Sequence, residues 1–309
     1  MKKNILIIFL FYSLISVAQQ DPLFTQNMFN QMSINPAYAG SNNMVCATAL
    51  NRLQWVGFGD GSPMTTVVNI NAAIQPFGLS SGIGLNIAND QFGFNQDLGV
   101  DLSYAIRFNV ASGGKLAIGF NGGFINNTLN AGNWITPSGS TDNALPSTKE
   151  NSINFDMGVG IFFNNDDMYF GASATHINET KFNKAVEPSH YKRHYYITGG
   201  YILQLPSPAW QFNPSVFISS DLTTNQLSVT ANAIYNKRFW CGVSYRVGEG
   251  VAGMIGFELF SGMRIGYAYD FSTTEISSYN SGSHEFMLGY CFSLKKEKPP
   301  QQYKSIRFL

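Results

Sequence analysis

Histidine and acidic residues that stand close together are the first candidates for catalysis or metal binding. His284 and Glu285 are adjacent, but position 288 is a leucine, so the HExxH spacing that binds zinc on a helix is missing. His190 and His194 are four residues apart, which suits a helix, yet in an extended segment they lie about 13 Å apart, too far to share one ion. No pair of nucleophile and base can be named. We therefore predict no catalytic residue, no metal site, no cofactor and no enzyme activity.

Two other groups of polar or sulfur side chains have ordinary structural interpretations. Residues 164–167, Asn-Asn-Asp-Asp, offer oxygen ligands for calcium, but a tight turn uses the same residue types, and we favour the turn. The three cysteines, Cys46, Cys241 and Cys291, are odd in number and far apart. Because all three lie in expected strands, we interpret them as buried small apolar residues rather than as a disulfide framework.

The N-terminus has the three parts of a secretory signal peptide. Lys2 and Lys3 are followed by a mostly apolar stretch at residues 5–17 and by small residues ending at Ala18. An uncleaved membrane anchor is the alternative, but the stretch is shorter than the ~20 residues that a spanning helix needs. We expect export, with residues 1–18 removed and Gln19 as the first residue of the mature chain.

The composition of the rest of the chain predicts a transmembrane β-barrel. No later apolar run is long enough for a spanning helix, and a membrane protein without such helices has to be a closed barrel. Charged residues make up 12% of the chain, against about 25% in globular proteins. Removing the leader leaves 17 of the 19 basic residues against 19 acidic ones, which gives no basic surface for nucleic acid. A soluble β-sandwich is the alternative fold, but it does not explain the low charge.

Alternation along the expected strands supports the barrel. In residues 97–110 apolar side chains such as Leu98, Val100 and Leu102 alternate with small or polar ones. Successive side chains of a strand point to opposite faces, so the segment has one face for lipid and one for a polar lumen. Seven charged residues fall in the inner phase: Asp97, Asp101, Arg107, Asp156, Glu258, Arg264 and Glu285. They either line an open pore or pair with each other and close it.

Turn signals give the expected topology. Short breaks lie near residues 75–78, 111–114, 164–167, 206–207, 236–237 and 261–262. A second set, in which several are longer, lies at residues 58–62, 89–94, 129–151, 177–188, 221–225, 247–250 and 273–283. Outer-membrane barrels alternate tight periplasmic turns with extended outer loops. We expect an all-β antiparallel barrel of about fourteen strands over residues 43–294, with both termini in the periplasm.

The segment between leader and first strand, residues 19–42, mixes amides, aromatics and two prolines without strand alternation. Phe24, Met28 and Phe29 fall on one side of a short helix that Asn35-Pro36 would end. It is either a plug in the barrel mouth or a periplasmic docking surface for a partner. The candidate docking residues are Asp21, Pro22, Phe24, Gln26, Met28, Phe29, Asn30, Gln31, Asn35, Pro36, Tyr38 and Gly40.

Residues 20–41 closely resemble the N-terminal signature of the PorP/SprF family of the Bacteroidota type IX secretion system. The resemblance continues through residues 52–58, Pro63, Thr65, 89–90, Gly93, 104–107, 214–215 and 282–290, and so covers nearly the whole mature chain. The tail at residues 295–309 departs from it and is expected to be a solvated periplasmic extension.

The resemblance implies a non-catalytic outer-membrane component that supports secretion or surface anchoring of cargo such as large adhesins, in some members linked to gliding motility. The implied partners are other secretion components in the periplasm and outer membrane, a secreted surface protein, and the lipid bilayer. The family supplies no catalytic or metal residue to carry over. A passive channel, such as a fatty-acid transporter, is the alternative function, and an outer-membrane enzyme ranks third.

Overall fold

The computed structural model describes residues 21–111, 113–130, 148–182, 189–260 and 262–293, which form a closed antiparallel β-barrel of 14 strands. The expected signal peptide (residues 1–18) and C-terminal tail (residues 295–309) lie outside these residues. Within the described ranges, no helix has the length and apolar composition to cross a membrane.

The strands follow one another around the barrel. In chain order they are β1 (Val45–Leu53), β2 (Met64–Ile74), β3 (Ser81–Phe92), β4 (Asn95–Asn109), β5 (Lys115–Leu129), β6 (Glu150–Asn164), β7 (Met168–Thr175), β8 (Lys181–Phe182), β9 (Ser189–His190), β10 (His194–Tyr201), β11 (Leu203–Gln204), β12 (Trp210–Ser220), β13 (Asn225–Tyr235), β14 (Phe239–Arg246), β15 (Gly250–Leu259), β16 (Met263–Ser272) and β17 (Ser283–Phe292). The short strands β8 and β9 pair only with each other, and β11 adds to the edge of β12.

Within the described ranges, the helical elements are short. They are α1 (Gln31–Ile34) and the 3-10 turns Asn27–Phe29, Pro36–Tyr38, Pro76–Gly78 and Glu275–Tyr279. The short helix predicted to carry Phe24, Met28 and Phe29 is instead a 3-10 turn at Asn27–Phe29, followed by the separate helix α1, which ends directly before Asn35-Pro36.

Two pairings close the barrel. β1 pairs with β17, with Val45 opposite Phe292, and β10 pairs with β12, with Tyr195 opposite Ser220. Each of the fourteen barrel strands therefore has two antiparallel neighbours and no strand edge is left open. The predicted barrel and its strand number are confirmed.

The outer surface is apolar, as the alternation predicts. In β6 the apolar side chains at positions 153, 155, 157, 159 and 161 are between 39% and 64% exposed. Asp156, one residue along, is 3% exposed and faces inward. This arrangement places hydrocarbon against the bilayer and polar groups in the lumen, which is the reverse of a soluble sandwich.

One end of the barrel has the longer connections. Seven connections between barrel strands lie at this end, and four of them span many residues: 54–63, 130–149, 176–193 and 273–282. The connection expected at residues 89–94 is instead a two-residue turn at Gly93 and Phe94, because β3 and β4 continue almost to the tip of the hairpin. We call this the long-loop end and the opposite one the tight-turn end.

The interpretation of the cysteines was wrong for two of the three. Cys46 in β1 lies directly opposite Cys291 in β17, and the two form a disulfide with their Cα atoms 4.1 Å apart. The bond joins the first and last strands across the seam of the barrel. The two cysteines are 245 positions apart in the sequence and meet only when the barrel closes, so their spacing gave no sign of the bond. Cys241 is a free thiol.

Candidate functional site: the N-terminal segment in the lumen

The segment that precedes β1 lies inside the barrel. Asn35 donates its side-chain N–H to a backbone carbonyl of β6 at 2.9 Å, and Asn69 of β2 donates to the side-chain oxygen of Asn30 at 2.8 Å. The ring of Phe29 packs against Trp240 of β14, with 5.2 Å between centroids. Because β2, β6 and β14 lie on different sides of a closed barrel, a segment that contacts all three fills the lumen. We call residues 21–44 the plug.

The twelve candidate docking residues all lie in the plug, and most of them are buried or half-buried. Gln26, Asn30, Gln31 and Asn35 are at most 3% exposed, and Pro36 and Gly40 are also buried. Asp21, Phe24, Met28, Phe29 and Tyr38 are half-buried, and Pro22 is exposed. Of the two alternatives that the sequence left open, a plug and a periplasmic docking surface, this structure has the plug. Its amide side chains suit a polar lumen as well as they suit water.

A buried carboxylate anchors the plug near the long-loop end. Glu285 of β17, 0% exposed, accepts the backbone N–H groups of Thr25 and Gln26, each at 2.8 Å. The guanidinium of Arg52 in β1 lies 3.3 Å from Glu285 and 2.5 Å from Asp270 of β16. The hydroxyl of Thr25 completes the network by donating to Asp270 at 2.6 Å.

Arg52 was not among the lumen charges predicted from the sequence. In β1 the preceding residue, Asn51, shares a phase with Leu53, and this mixed pattern hid the inward direction of Arg52. The alternating burial of Cys46, Thr48 and Leu50, which share the phase of Arg52, shows which face of β1 is the inner one.

A second anchor holds the first described residue. The carboxylate of Asp21 accepts the hydroxyl proton of Tyr196 at 2.6 Å and lies 3.2 Å from the ring of His176, whose other nitrogen is 3.0 Å from Asp156. Burial disfavours a charged His176, but Asp21 and Asp156 outweigh burial and raise its pKa well above the usual value. Burial likewise acts against ionised Asp21, yet His176 and His194 hold the pKa of Asp21 below its usual range. The pair is therefore ionic at neutral pH.

The other end of the plug is held by Arg107 of β4. Its guanidinium donates to the carbonyls of Gly40 and Ser41, the latter at 3.1 Å, and to the side-chain oxygen of Asn43 at 3.0 Å. Glycines in the wall let the backbone of the plug come close. A β-carbon at Gly82 would collide with the carbonyl of Ala39, and one at Gly119 with the backbone of Ala37.

Substitution of these wall glycines is expected to displace the plug. Gly82→Val or Gly119→Val places carbon where plug backbone now lies, and such overpacking costs about 1–3 kcal/mol or more. Proteinase K should then cut the plug in the purified barrel, while the wild-type plug stays protected. Gly253→Ala is the matched control, since a β-carbon there meets nothing within 4 Å. Equal protection of all variants from proteinase K would contradict this position of the plug in the lumen.

The remaining predicted lumen charges also take the inner phase. Arg264 of β16 lies over the ring of Phe29, 5.8 Å from its centroid, and donates to the sulfur of Cys291 at 3.1 Å. Glu258 accepts the backbone N–H of Gly262 at 3.2 Å, near the tight-turn end. Asp97 and Asp101 line a cavity near the long-loop end.

Two of the cavities in the barrel touch different parts of the plug. The larger, of about 880 Å³, touches plug residues 21–24 near the long-loop end, and we call it the outer cavity. The smaller, of about 200 Å³, touches Met28, Phe29 and Tyr38. The plug occupies much of the lumen, and among the seven predicted lumen charges Glu285 and Asp156 form ion pairs, with Arg52 and His176 rather than with each other.

Two other observations bear on chemistry. Among the residues that the structure describes, no group of three or more His, Cys, Asp or Glu side chains is placed to hold a metal ion. Residues 78–82, Gly-Leu-Ser-Ser-Gly, match the spacing of a nucleophile elbow, but they connect β2 to β3 in an antiparallel hairpin. An elbow needs a turn from strand to helix, so this match lacks the required context.

Comparisons with known proteins are consistent with the fold. A family model described as "Type IX secretion system membrane protein PorP/SprF" matches residues 16–290. A search of curated protein sequences found no match. Among solved structures, the CymD monoaromatic hydrocarbon channel is similar with a TM-score of 0.51 at 11% identity, over 87% of this chain and 94% of that one. Omp33 of Acinetobacter baumannii has a TM-score of 0.47 at 7% identity, over 81% and 98%. At such identities the likeness to CymD bears on the fold alone.

Proposed function

The chain belongs to the PorP/SprF family of type IX secretion system membrane proteins, and on this premise we propose that it supports secretion or surface anchoring of a large surface protein. The observation that carries the proposal, beside the family, is the lumen filled by the chain's own N-terminal segment. A barrel closed in this way suits a partner-binding role better than passage of solutes. Adhesins, including those used in gliding, are the cargo class that we propose.

The loop lengths support an orientation in the membrane. We place the long-loop end outside the cell and the tight-turn end, with both termini, in the periplasm, because outer-membrane barrels have this asymmetry. Periplasmic secretion components would then meet the tight-turn end. Docking by the signature residues is part of the proposal only for a form in which the plug has left the lumen, since Gln26, Gln31 and Asn35 are buried there.

Deletion of the gene is expected to remove one or more surface proteins from the cell surface and the medium, while uptake of small solutes stays unchanged. The measurement is a comparison of surface and secreted proteins by mass spectrometry in the deletion strain and in the same strain complemented with the wild-type gene. Normal secretion without the gene would rule out the proposal.

A passive channel is the second candidate, favoured by the outer cavity of about 880 Å³ and by the charges that line it. Purified protein in planar bilayers distinguishes the two candidates. A stable open conductance in the wild-type protein would favour the channel, whereas a closed barrel would favour the secretion role.

A further inference from the structure

The disulfide between Cys46 and Cys291 lies beside a cavity at the tight-turn end. This cavity, of about 600 Å³, is lined by Cys291 and Arg264, by Gly262 of a tight turn, and by Ser293, which follows the last strand. We call it the rim cavity. Cys46 lines the smaller cavity of about 200 Å³ instead. The two cysteines of one bond therefore face different spaces, and Cys291 is the one next to the rim of the barrel.

The two sulfurs also have different neighbours. Arg264 donates a guanidinium N–H to the sulfur of Cys291 at 3.1 Å, whereas the sulfur of Cys46 accepts an amide N–H of Asn42 at 3.6 Å. Among the described residues, Arg264 belongs to no ion pair, so no carboxylate in contact with it offsets its charge. A neighbouring arginine stabilises a thiolate. After reduction, Arg264 therefore favours the thiolate of Cys291, while the neighbour of Cys46 is neutral.

One acid shares the rim cavity with Arg264. Glu258 of β15 is the register partner of Arg264, lines the same cavity and accepts the backbone N–H of Gly262 at 3.2 Å. Its charge acts against a thiolate at Cys291. Electrostatic interaction weakens with distance, and Arg264 is in direct contact with the sulfur. The guanidinium therefore has the larger effect on Cys291.

Exposure agrees with the charge. Cys291 is 8% exposed and Cys46 3%. Thiol–disulfide exchange begins with attack by a thiolate, and its rate depends on the thiolate fraction and on access. Both factors favour Cys291 over Cys46 as the residue that reacts first.

We propose that Cys291 is the site at which the disulfide is formed and exchanged, by a partner that carries a disulfide or dithiol and acts from the tight-turn end. Arg264 is the positioning residue that holds Cys291 as a thiolate. This site is independent of the secretion role, because the inference uses only the seam of the barrel and the rim cavity.

The reaction consists of two exchanges. The thiolate of Cys291 attacks one sulfur of the partner's disulfide, and the partner's other sulfur leaves as a thiolate. The thiolate of Cys46 then attacks Cys291 in this mixed disulfide, which forms the Cys46–Cys291 bond and expels the partner's first sulfur. The two thiols of the barrel lose two electrons and two protons, and the partner gains them as a dithiol. The reverse sequence reduces the bond.

The first test compares the two cysteines one at a time in the purified, folded full-length chain. One variant keeps Cys291 (Cys46→Ser with Cys241→Ser) and the other keeps Cys46 (Cys241→Ser with Cys291→Ser). The probe is oxidised glutathione, and mass spectrometry follows the formation of the mixed disulfide between pH 6 and pH 9. Cys291 should react at least tenfold faster than Cys46 at pH 7. Equal rates, or a faster Cys46, would overturn the proposal.

The second test changes Arg264 in the variant that keeps Cys291, after the folded band on unboiled SDS gels has been verified. Arg264→Gln should slow the reaction at pH 7 at least tenfold and move its pH profile to higher pH. Arg264→Lys keeps the charge and should recover most of the rate. Glu258→Gln, the matched control in the same cavity, should react at least as fast as its parent. An unchanged pH profile in Arg264→Gln, or equally slow reaction of the glutamine and lysine variants, would refute the role of Arg264.

Discussion

Replacing Glu285 with alanine is expected to detach the long-loop half of the plug and to turn a closed barrel into one that conducts ions. Glu285 accepts two backbone N–H groups of the plug at 2.8 Å and pairs with Arg52. Its loss leaves those two donors without a partner, at a cost of about 1–3 kcal/mol each. It also breaks a buried ion pair, which costs about 3–5 kcal/mol when one member is removed. Both costs disappear if the plug leaves and water enters.

Two measurements check this expectation. In planar bilayers the wild-type protein should carry no current, whereas Glu285→Ala should give a fluctuating ionic current. Proteinase K should cleave the plug of the variant and spare that of the wild type. Glu285→Gln should lie between the two, because the amide oxygen still accepts one N–H while its charge is lost. Glu258→Ala, also an inward carboxylate but without a bond to the plug, is the control.

A Glu285→Ala barrel that stays closed with a protected plug would show that Arg107 and the Asp21 anchor hold the segment by themselves. The same result would weaken the secretion proposal, since the proposed docking form requires the plug to leave.

The wall of the barrel was predictable because its determinants are local. Lipid on one side and a polar lumen on the other impose alternation within each strand, as in residues 97–110, and tight turns need glycine, asparagine or proline at their own positions. Strand number and closure follow from such local signals. The break predicted at residues 89–94 was longer than the observed turn at Gly93 and Phe94, because the two strands that meet there are unusually long.

The interior was not predictable, because its contacts join distant parts of the chain. The bond from Glu285 to the N–H of Thr25 spans 260 positions, and the partner of Cys46 is 245 positions away. Residue types did not decide where the plug lies, since Asn30, Gln31 and Asn35 are as suitable for water as for a polar lumen. Seven lumen charges were predicted from the alternation, but Arg52 was missed, and the partners of the charges were not predicted because pairing depends on the register between strands.

Loss of the disulfide between Cys46 and Cys291 is expected to lower the thermal stability of the barrel strongly without preventing its formation. The bond closes a loop of 245 residues, for which the chain-entropy model gives about 5 kcal/mol. At this size of protein, that corresponds to a decrease in Tm on the order of 10 °C or more. The backbone pairing of β1 with β17, from Val45 to Leu53, keeps the seam closed, so the double variant Cys46→Ser with Cys291→Ser should still fold.

The stability is measured from the temperature at which the folded band disappears on unboiled SDS gels, in samples with and without reductant. Reductant should lower this temperature for the wild type to that of the double variant and leave the double variant unchanged. Cys241→Ser removes the free thiol and should behave as the wild type. Equal transition temperatures for the wild type and the double variant would mean that the hydrogen-bonded seam alone fixes the first strand to the last. In that case the disulfide contributes little to the thermal stability, and the stability of the barrel comes from its wall and its plug.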